Sequence, residues 1–218
     1  MKIKLKNNKI ISFIEEHPTL KGEVCAHSIK SRQVGRKTTS FKRRIECRPD
    51  LAIRIERLSK KIKISQLLEY INSFYNERIY LIMDHKFTCL EEQKWLENSI
   101  KEIRKNERLH YICFNGKKII ASVEAKKDRM REKCNVCLGI AIKKEFRGCG
   151  LGTILLKLII GEAKTKFKPK NIYLSVISKN CPAKKLYEKI GFREFAVFPK
   201  WVNYENKYID KVFMKLEK

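Results

Sequence analysis

Three glycines at alternate positions, in Arg147-Gly148-Cys149-Gly150-Leu151-Gly152-Thr153, carry the strongest chemical signal in this 218-residue chain. An apolar stretch, Leu138-Gly139-Ile140-Ala141-Ile142, leads into them, and another, residues 154–160, follows. That order predicts a strand, a glycine turn and a helix. Glycines let the main chain approach a ligand closely. The first helical turn points unpaired N–H groups outward at the positive end of the helix dipole, so the segment reads as a pyrophosphate cradle. It is not a Walker loop, because no Gly-Lys-Ser/Thr follows, and the order and spacing of its glycines differ from the dinucleotide fingerprint.

A second cluster lies further on: Asn180-Cys-Pro-Ala183-Lys-Lys-Leu186-Tyr187-Glu-Lys-Ile190-Gly191-Phe192. Ala183, Leu186, Tyr187 and Ile190 share one helical face, and Gly191 suits the left-handed position that ends a helix. Asn180 is placed to cap it. Together the two segments resemble the acetyl-CoA signature of the GNAT superfamily of N-acetyltransferases, Arg/Gln-x-x-Gly-x-Gly/Ala, met by Arg147, Gly150 and Gly152. The resemblance extends over residues 47–218, including Glu91-Glu-Gln-Lys-Trp-Leu-Glu97 and the terminal Tyr208-Ile-Asp210-x-x-x-Met214.

The resemblance implies an enzyme that passes acetyl from acetyl-CoA, as co-substrate, directly to a primary amine of a protein, peptide or small molecule. Backbone N–H groups of Gly148, Cys149, Gly150, Leu151, Gly152 and Thr153 would hold the pyrophosphate, with Arg147, Asn180 and Ala183 beside the cofactor. Ile140, Ala141 and Ile142 would pair with the pantetheine arm as a peptide pairs with a sheet edge. A main-chain N–H near Ile140 would meet the developing oxyanion. Tyr187 would give a proton to the leaving thiolate; its plainer role is that of a core aromatic. Histone-type relatives carry a Glu base where Val136 stands, and protein N-terminal acetyltransferases a His where Ser175 stands. That leaves Glu124, or water relayed past Ser175 and Tyr173, as base. The alternative function is a non-catalytic acetyl-CoA-binding or ribosome/RNA-associated protein of the same fold.

The elements that position these residues follow from periodicity. Leu51, Ile53 and Ile55 alternate as a strand does, while Ile64, Leu67, Leu68, Ile71, Phe74 and Tyr75 are spaced as a helix. Thr88-x-x-Glu91 is a capping box opening a helix through Trp95, Leu96, Ile100 and Ile103. Residues 111–114 and 119–123 form a hairpin joined at Asn115-Gly116. Strands follow at 134–142, 172–177, 192–198 and 210–216, with helices at 151–164 and 181–190. This predicts an α/β (α+β) single domain over residues 47–218, a mixed, mostly antiparallel sheet flanked by helices. Residues 1–46 are predicted to be a partly flexible basic extension, with a short structured piece around residues 10–14.

Composition narrows the setting. The formal net charge is +26, of which residues 1–46 hold +8, and seven basic residues but no acidic one lie between His27 and Arg44. This charge suits a ribosome or another polyanion, or is a compositional habit. No stretch reaches the roughly 20 apolar residues of a membrane span, and the start lacks a signal-peptide core, so a cytoplasmic monomer or homodimer is expected. The eight cysteines are then free thiols. Cys134-x-x-Cys137 lacks a second ligand pair and the four histidines lack ligand spacing, so no metal is expected. Cys149 reads as a small loop residue.

Overall fold

Alternation in the central hairpin, broken by one bulge between Cys113 and Phe114, sets the two layers of the molecule. In β4 (Arg108–Asn115) and β5 (Lys118–Lys127), Leu109, Tyr111, Cys113, Ala121, Val123 and Ala125 turn to one face of the sheet, and Arg108, His110, Ile112 and Phe114 to the other. The first face is covered by α3 (Leu151–Phe167), whose mid-section is apolar almost all round and almost wholly buried. The second is covered by α1 (Ile64–Asn76) and α2 (Cys89–Arg104), which enclose a smaller core around Leu67, Tyr70, Phe74, Leu96 and Ile100. The computed structural model of the chain describes residues 2–6, 9–10, 52–77, 81, 83–204 and 206–217.

Among the described residues nine strands form one sheet in the order β2-β1-β3-β4-β5-β6-β7-β9-β8. To those named are added β1 (Lys2–Lys6), β2 (Lys9–Ile10), β3 (Ala52–Arg57), β6 (Asn135–Ile142), β7 (Asn171–Ile177), β8 (Phe192–Tyr204) and β9 (Lys207–Leu216), with α4 (Cys181–Ile190) between β7 and β8. Every neighbouring pair is antiparallel except β6 with β7. The predicted mixed, mostly antiparallel α/β architecture is thus what forms. β1 pairs with β3 through Lys2↔Arg54 and Lys4↔Ala52, so the sheet begins inside the segment read as an extension. The basic arm at 27–44 lies outside the described residues.

Local rules place the ends. Thr88 and Glu91 close the capping box reciprocally at the start of α2. Gly191, at φ +107, ends α4 in the left-handed region. The hairpin turn is Gly116-Lys117, one residue beyond the predicted centre, because Asn115 still pairs with Lys118. Cys134 sits in the turn before β6 rather than in the strand. The last two strands run well past their predicted limits, to Tyr204 and back from Lys207.

Candidate active site

The parallel pair is where the sheet opens. β6 and β7 are in register at Asn135↔Asn171, Val136↔Ile172 and Cys137↔Tyr173, and there the pairing stops. β6 continues to Ile142 bonded only to β5, while β7 continues to Ile177 bonded only to β9. The sheet therefore splays into a wedge beyond Cys137 and Tyr173. Lys143 donates its N–H to the Ile120 carbonyl (2.9 Å) and Asp128 donates to the Asn135 carbonyl (3.1 Å). Odd-numbered residues of β6 thus turn their backbone toward β5, and Leu138, Ile140 and Ile142 turn theirs toward the wedge. Ile140 accordingly presents an N–H and a carbonyl in the opening, as an unpaired strand edge does.

At the wide end of the wedge β6 runs into the glycine turn. Gly148 (φ +75) and Gly150 (φ +86) both adopt the left-handed conformation, and a Cβ on either would meet nothing within 4 Å. The N–H groups of residues 148–152 have no acceptor among the described residues, whereas Thr153 and Ile154 return theirs to the Gly150 carbonyl (3.1 and 3.3 Å). Five consecutive free donors at the N-terminus of a 17-residue helix make the expected anion cradle. Gly152 has a different reason to be glycine. A Cβ there would stand 2.8 Å from Leu186 Cδ2 and 3.3 Å from Ile142 Cδ1, so its absence lets α4 close on α3.

Arg147 points inward instead of toward the cradle. Its Nε donates to the Ile142 carbonyl (2.7 Å) and its Nη2 pairs with Glu77 Oε2 (2.7 Å). Glu77 Oε1 also accepts the Lys144 N–H (3.3 Å). The turn is thereby tied to the C-terminal end of α1. Cys149 gives its thiol to the Phe146 carbonyl (3.0 Å) as a loop residue. Asn180 Oδ1 caps α4 by accepting the Ala183 N–H (3.3 Å).

Tyr187 packs from α4 into the core that also holds Leu138, Ile140 and Ile142, with its ring edge-on to Phe192 at 6.2 Å. Its hydroxyl makes no hydrogen bond among the described residues, and burial pushes its pKa up to about 12. It therefore keeps its proton at any physiological pH. Glu124 occupies the opposite face of the sheet. It lies across from Gly139 of β6 and His110 of β4, with Oε1 3.1 Å from where a Gly139 Cβ would stand. Its Oε2 lies 3.4 Å from His110 Nδ1 and 3.7 Å from Arg108 Nε, too far for good hydrogen bonds. Burial, together with the nearby Arg108 charge, holds the His110 pKa down at about 4 against the pull of Glu124, so the ring is neutral. Arg108 is held by Glu102 (3.0 Å) and by Ser99 Oγ. Glu124 was a candidate from the sequence, but its neighbours Arg108 and His110 escaped that reading, although a charged residue and a histidine on the inward alternation of β4 were the signal.

The remaining candidates for a base separate. Tyr173 donates its hydroxyl to Asp128 (2.9 Å), and Ser175 sits on the same face one pair further into the wedge. The strands, the wedge and the glycine turn form one continuous segment, and residues 73–192 match the Acetyltransferase (GNAT) family. The chain belongs to the GNAT acetyltransferase family.

Individual GNAT relatives align over shorter stretches. An N-alpha-acetyltransferase of Sulfurisphaera tokodaii is 37% identical over 60 residues, 28% of this chain and 36% of that protein. A spermine/spermidine N(1)-acetyltransferase of Bacillus subtilis is 38% identical over 52 residues, 24% of this chain and 34% of that protein. These alignments thus span about a third of the curated relatives' length. A Salmonella typhimurium protein whose structure includes its cofactor acetyl-CoA superposes with a TM-score of 0.65 at 17% identity, covering 76% of this chain and 93% of that one. At that identity the likeness speaks for the fold.

Proposed function

We propose that this GNAT protein transfers acetyl from acetyl-CoA directly to a primary amine. The observation that carries the reading is the wedge between β6 and β7 with five free N–H donors at its mouth. A diphosphate at residues 148–152 leaves an extended arm to run along the unpaired edge of β6, where Ile140 offers both a donor and an acceptor. The thioester then lies in the wedge, the place that Tyr187 reaches from the α3–α4 layer and Glu124 from the α1–α2 layer.

The chemistry divides between those layers. Glu124 takes a proton from the attacking ammonium, which otherwise stays charged below a pKa of about 10.4 for an alkyl amine. The amine nitrogen bonds to the carbonyl carbon while the Ile140 N–H meets the growing negative charge on oxygen. The C–S bond breaks as Tyr187 Oη passes its proton to the departing thiolate; the nitrogen's second surplus proton returns through water to the phenolate, and the proton held by Glu124 goes to solvent.

The names of the relatives suggest a polyamine or a peptide N-terminus as acceptor. The net charge of +26 also supports an acceptor presented by an anionic macromolecule such as the ribosome. The test is incubation with acetyl-CoA and a panel of polyamines, N-terminal peptides and amino acids, with acetylated product read by mass spectrometry. Product from at least one amine is expected, with acetyl-CoA and CoA each raising the melting temperature. No thermal shift at millimolar acetyl-CoA overturns the binding site, and binding with no product from any amine overturns the transfer.

A further inference from the structure

The face of the sheet that α1 and α2 cover at β4 and β5 carries no described helix at its other end, where Ile177, Val202 and Ile209 are buried but several rings of the ribbon are exposed. β7, β9 and β8 pair through Tyr173↔Lys215, Ser175↔Phe213 and Ile177↔Lys211, and through Arg193↔Lys215, Ala196↔Phe213 and Phe198↔Lys211. Alternation puts Val212 and Met214 under α3 in the main core, and Lys211, Phe213 and Lys215 on the open side. Bulges at Glu194/Ala196 and Phe198/Val202 bring further rings to that side. Phe195, Phe213, Phe198 and Trp201 form an unbroken track, with successive centroids 6.3, 5.1 and 4.9 Å apart. Phe195, Phe198 and Trp201 are 55%, 37% and 61% exposed, which is unusual for rings of this size. Their planes meet at 57–72°, not stacked on one another, so ring faces remain open.

Charge on the ribbon is sorted by face. Lys211 lies over the Phe213 ring at 5.2 Å, and Lys215 and Arg193 stand beside the track, Arg193 within 3.6 Å of Glu217 beyond the strand. The acidic residues within the described ribbon are turned away. Glu194 pairs with Lys184 of α4 (2.6 Å), and Asp210 accepts the Lys200 N–H at the bulge (2.8 Å). Exposed rings interleaved with basic side chains are how single-stranded nucleic acid is held, with bases on the rings and phosphates on the cations.

We propose that the open face of β8 and β9 is a platform for single-stranded nucleic acid, with Trp201, Phe198 and Phe195 stacking bases and Lys211 and Lys215 meeting phosphates. A second copy of the chain is the poorer occupant. It would bring another +26 against a face whose described acidic neighbours, Glu217 and Asp128, are already engaged by Arg193 and Tyr173. The platform adjoins the wedge at one end, where Phe213 is the cross-strand neighbour of Ser175, and runs away from it through Phe198 and Trp201.

The experiment is fluorescence anisotropy of a labelled oligouridylate of roughly 12 nucleotides, within the span one such platform covers, titrated with the full chain. Trp201→Ala and Phe198→Ala should each weaken binding by roughly ten-fold, and Trp201→Phe should retain most of the affinity. Lys211→Gln should reduce the slope of log K against log salt by about 0.7. A duplex of the same length should compete poorly. The acetyl-CoA thermal shift, unchanged in each variant, shows that the fold is intact and separates failure here from failure of the transfer reading. Three results overturn the proposal. In the first, Trp201→Ala binds like wild type while replacing the seven basic residues between His27 and Arg44 by Gln abolishes binding. In the second, polyglutamate displaces the oligonucleotide as well as unlabelled oligouridylate does, which assigns the face to an acidic protein. In the third, the sedimenting mass doubles in wild type but not in Trp201→Ala, which assigns it to a second copy.

Discussion

In the proposed mechanism Tyr187 and Glu124 act on one thioester from opposite faces of the sheet and take opposite tasks. Tyr187 makes no hydrogen bond among the described residues and burial raises its pKa to about 12, so it holds its proton throughout the working range. Tyr187→Phe keeps the ring against Phe192 and removes only the donor. Turnover should fall by about 100- to 10,000-fold with little change in acetyl-CoA affinity, measured in single turnovers so that product release does not mask the chemical step. Glu124→Gln keeps the shape opposite Gly139 and removes the proposed base. Its penalty should be largest near neutrality and shrink as pH rises toward about 10.4, where an alkyl amine loses its proton unaided. The pH–rate profiles of variant and wild type check this: a penalty that is constant with pH would make Glu124 a structural residue.

Elements were legible in the sequence where a local rule decides them, and less so where distant pairing does. The capping box, the helix-ending Gly191 and the apolar periodicity of α1, α2 and α3 are written in neighbouring residues. So was the glycine turn, because its chemistry lies in consecutive N–H groups. The extra length of β8 and β9 was hidden by Pro199 and by two bulges, which break the period-2 pattern of a ribbon held mainly by cross-strand pairing. The environment of Glu124 was hidden too, since His110 reaches it only through the register of β4 on β5. Arg147 and Glu77 are 70 residues apart in sequence, and only the fold shows that the arginine ties the turn to α1. Gly152 belongs to the same class, with a partner on α4. Gly152→Ala gains helix propensity but drives a methyl group toward Leu186 and Ile142. It should therefore cost more stability beside Leu186 than in a Leu186→Ala background. A coupling of at least about 0.5 kcal/mol in a denaturation double-mutant cycle is expected, and additivity would show that α4 is not closed on α3 at this glycine.

Across the whole molecule, two buried titratable groups, Glu92 on α2 and His110 on β4, pull stability in opposite directions over nearly the same pH window. His110 is neutral in the fold, its pKa lowered by burial from 6.5 to about 4. Between those values the unfolded chain takes a proton that the folded chain refuses. Stability from this site is therefore full above pH 6.5 and is lost as pH falls toward 4, by about 3 kcal/mol in all. Glu92, 6% exposed near the start of α2, has its pKa raised by burial from 4.5 to about 7. Between those values the unfolded chain releases a proton that the folded chain keeps, so its contribution is full below 4.5 and is lost as pH rises through 7. The two slopes oppose each other, and the wild-type profile from pH 4.5 to 6.5 should be flatter than either group alone would give. Glu92→Gln removes one arm, and its stability should climb more steeply with pH than wild type across this range. His110→Leu removes the other and should leave stability that falls as pH rises. Urea denaturation of the three proteins at half-unit steps of pH distinguishes these outcomes, and parallel profiles for all three would show that neither group titrates differently in the folded and unfolded chains.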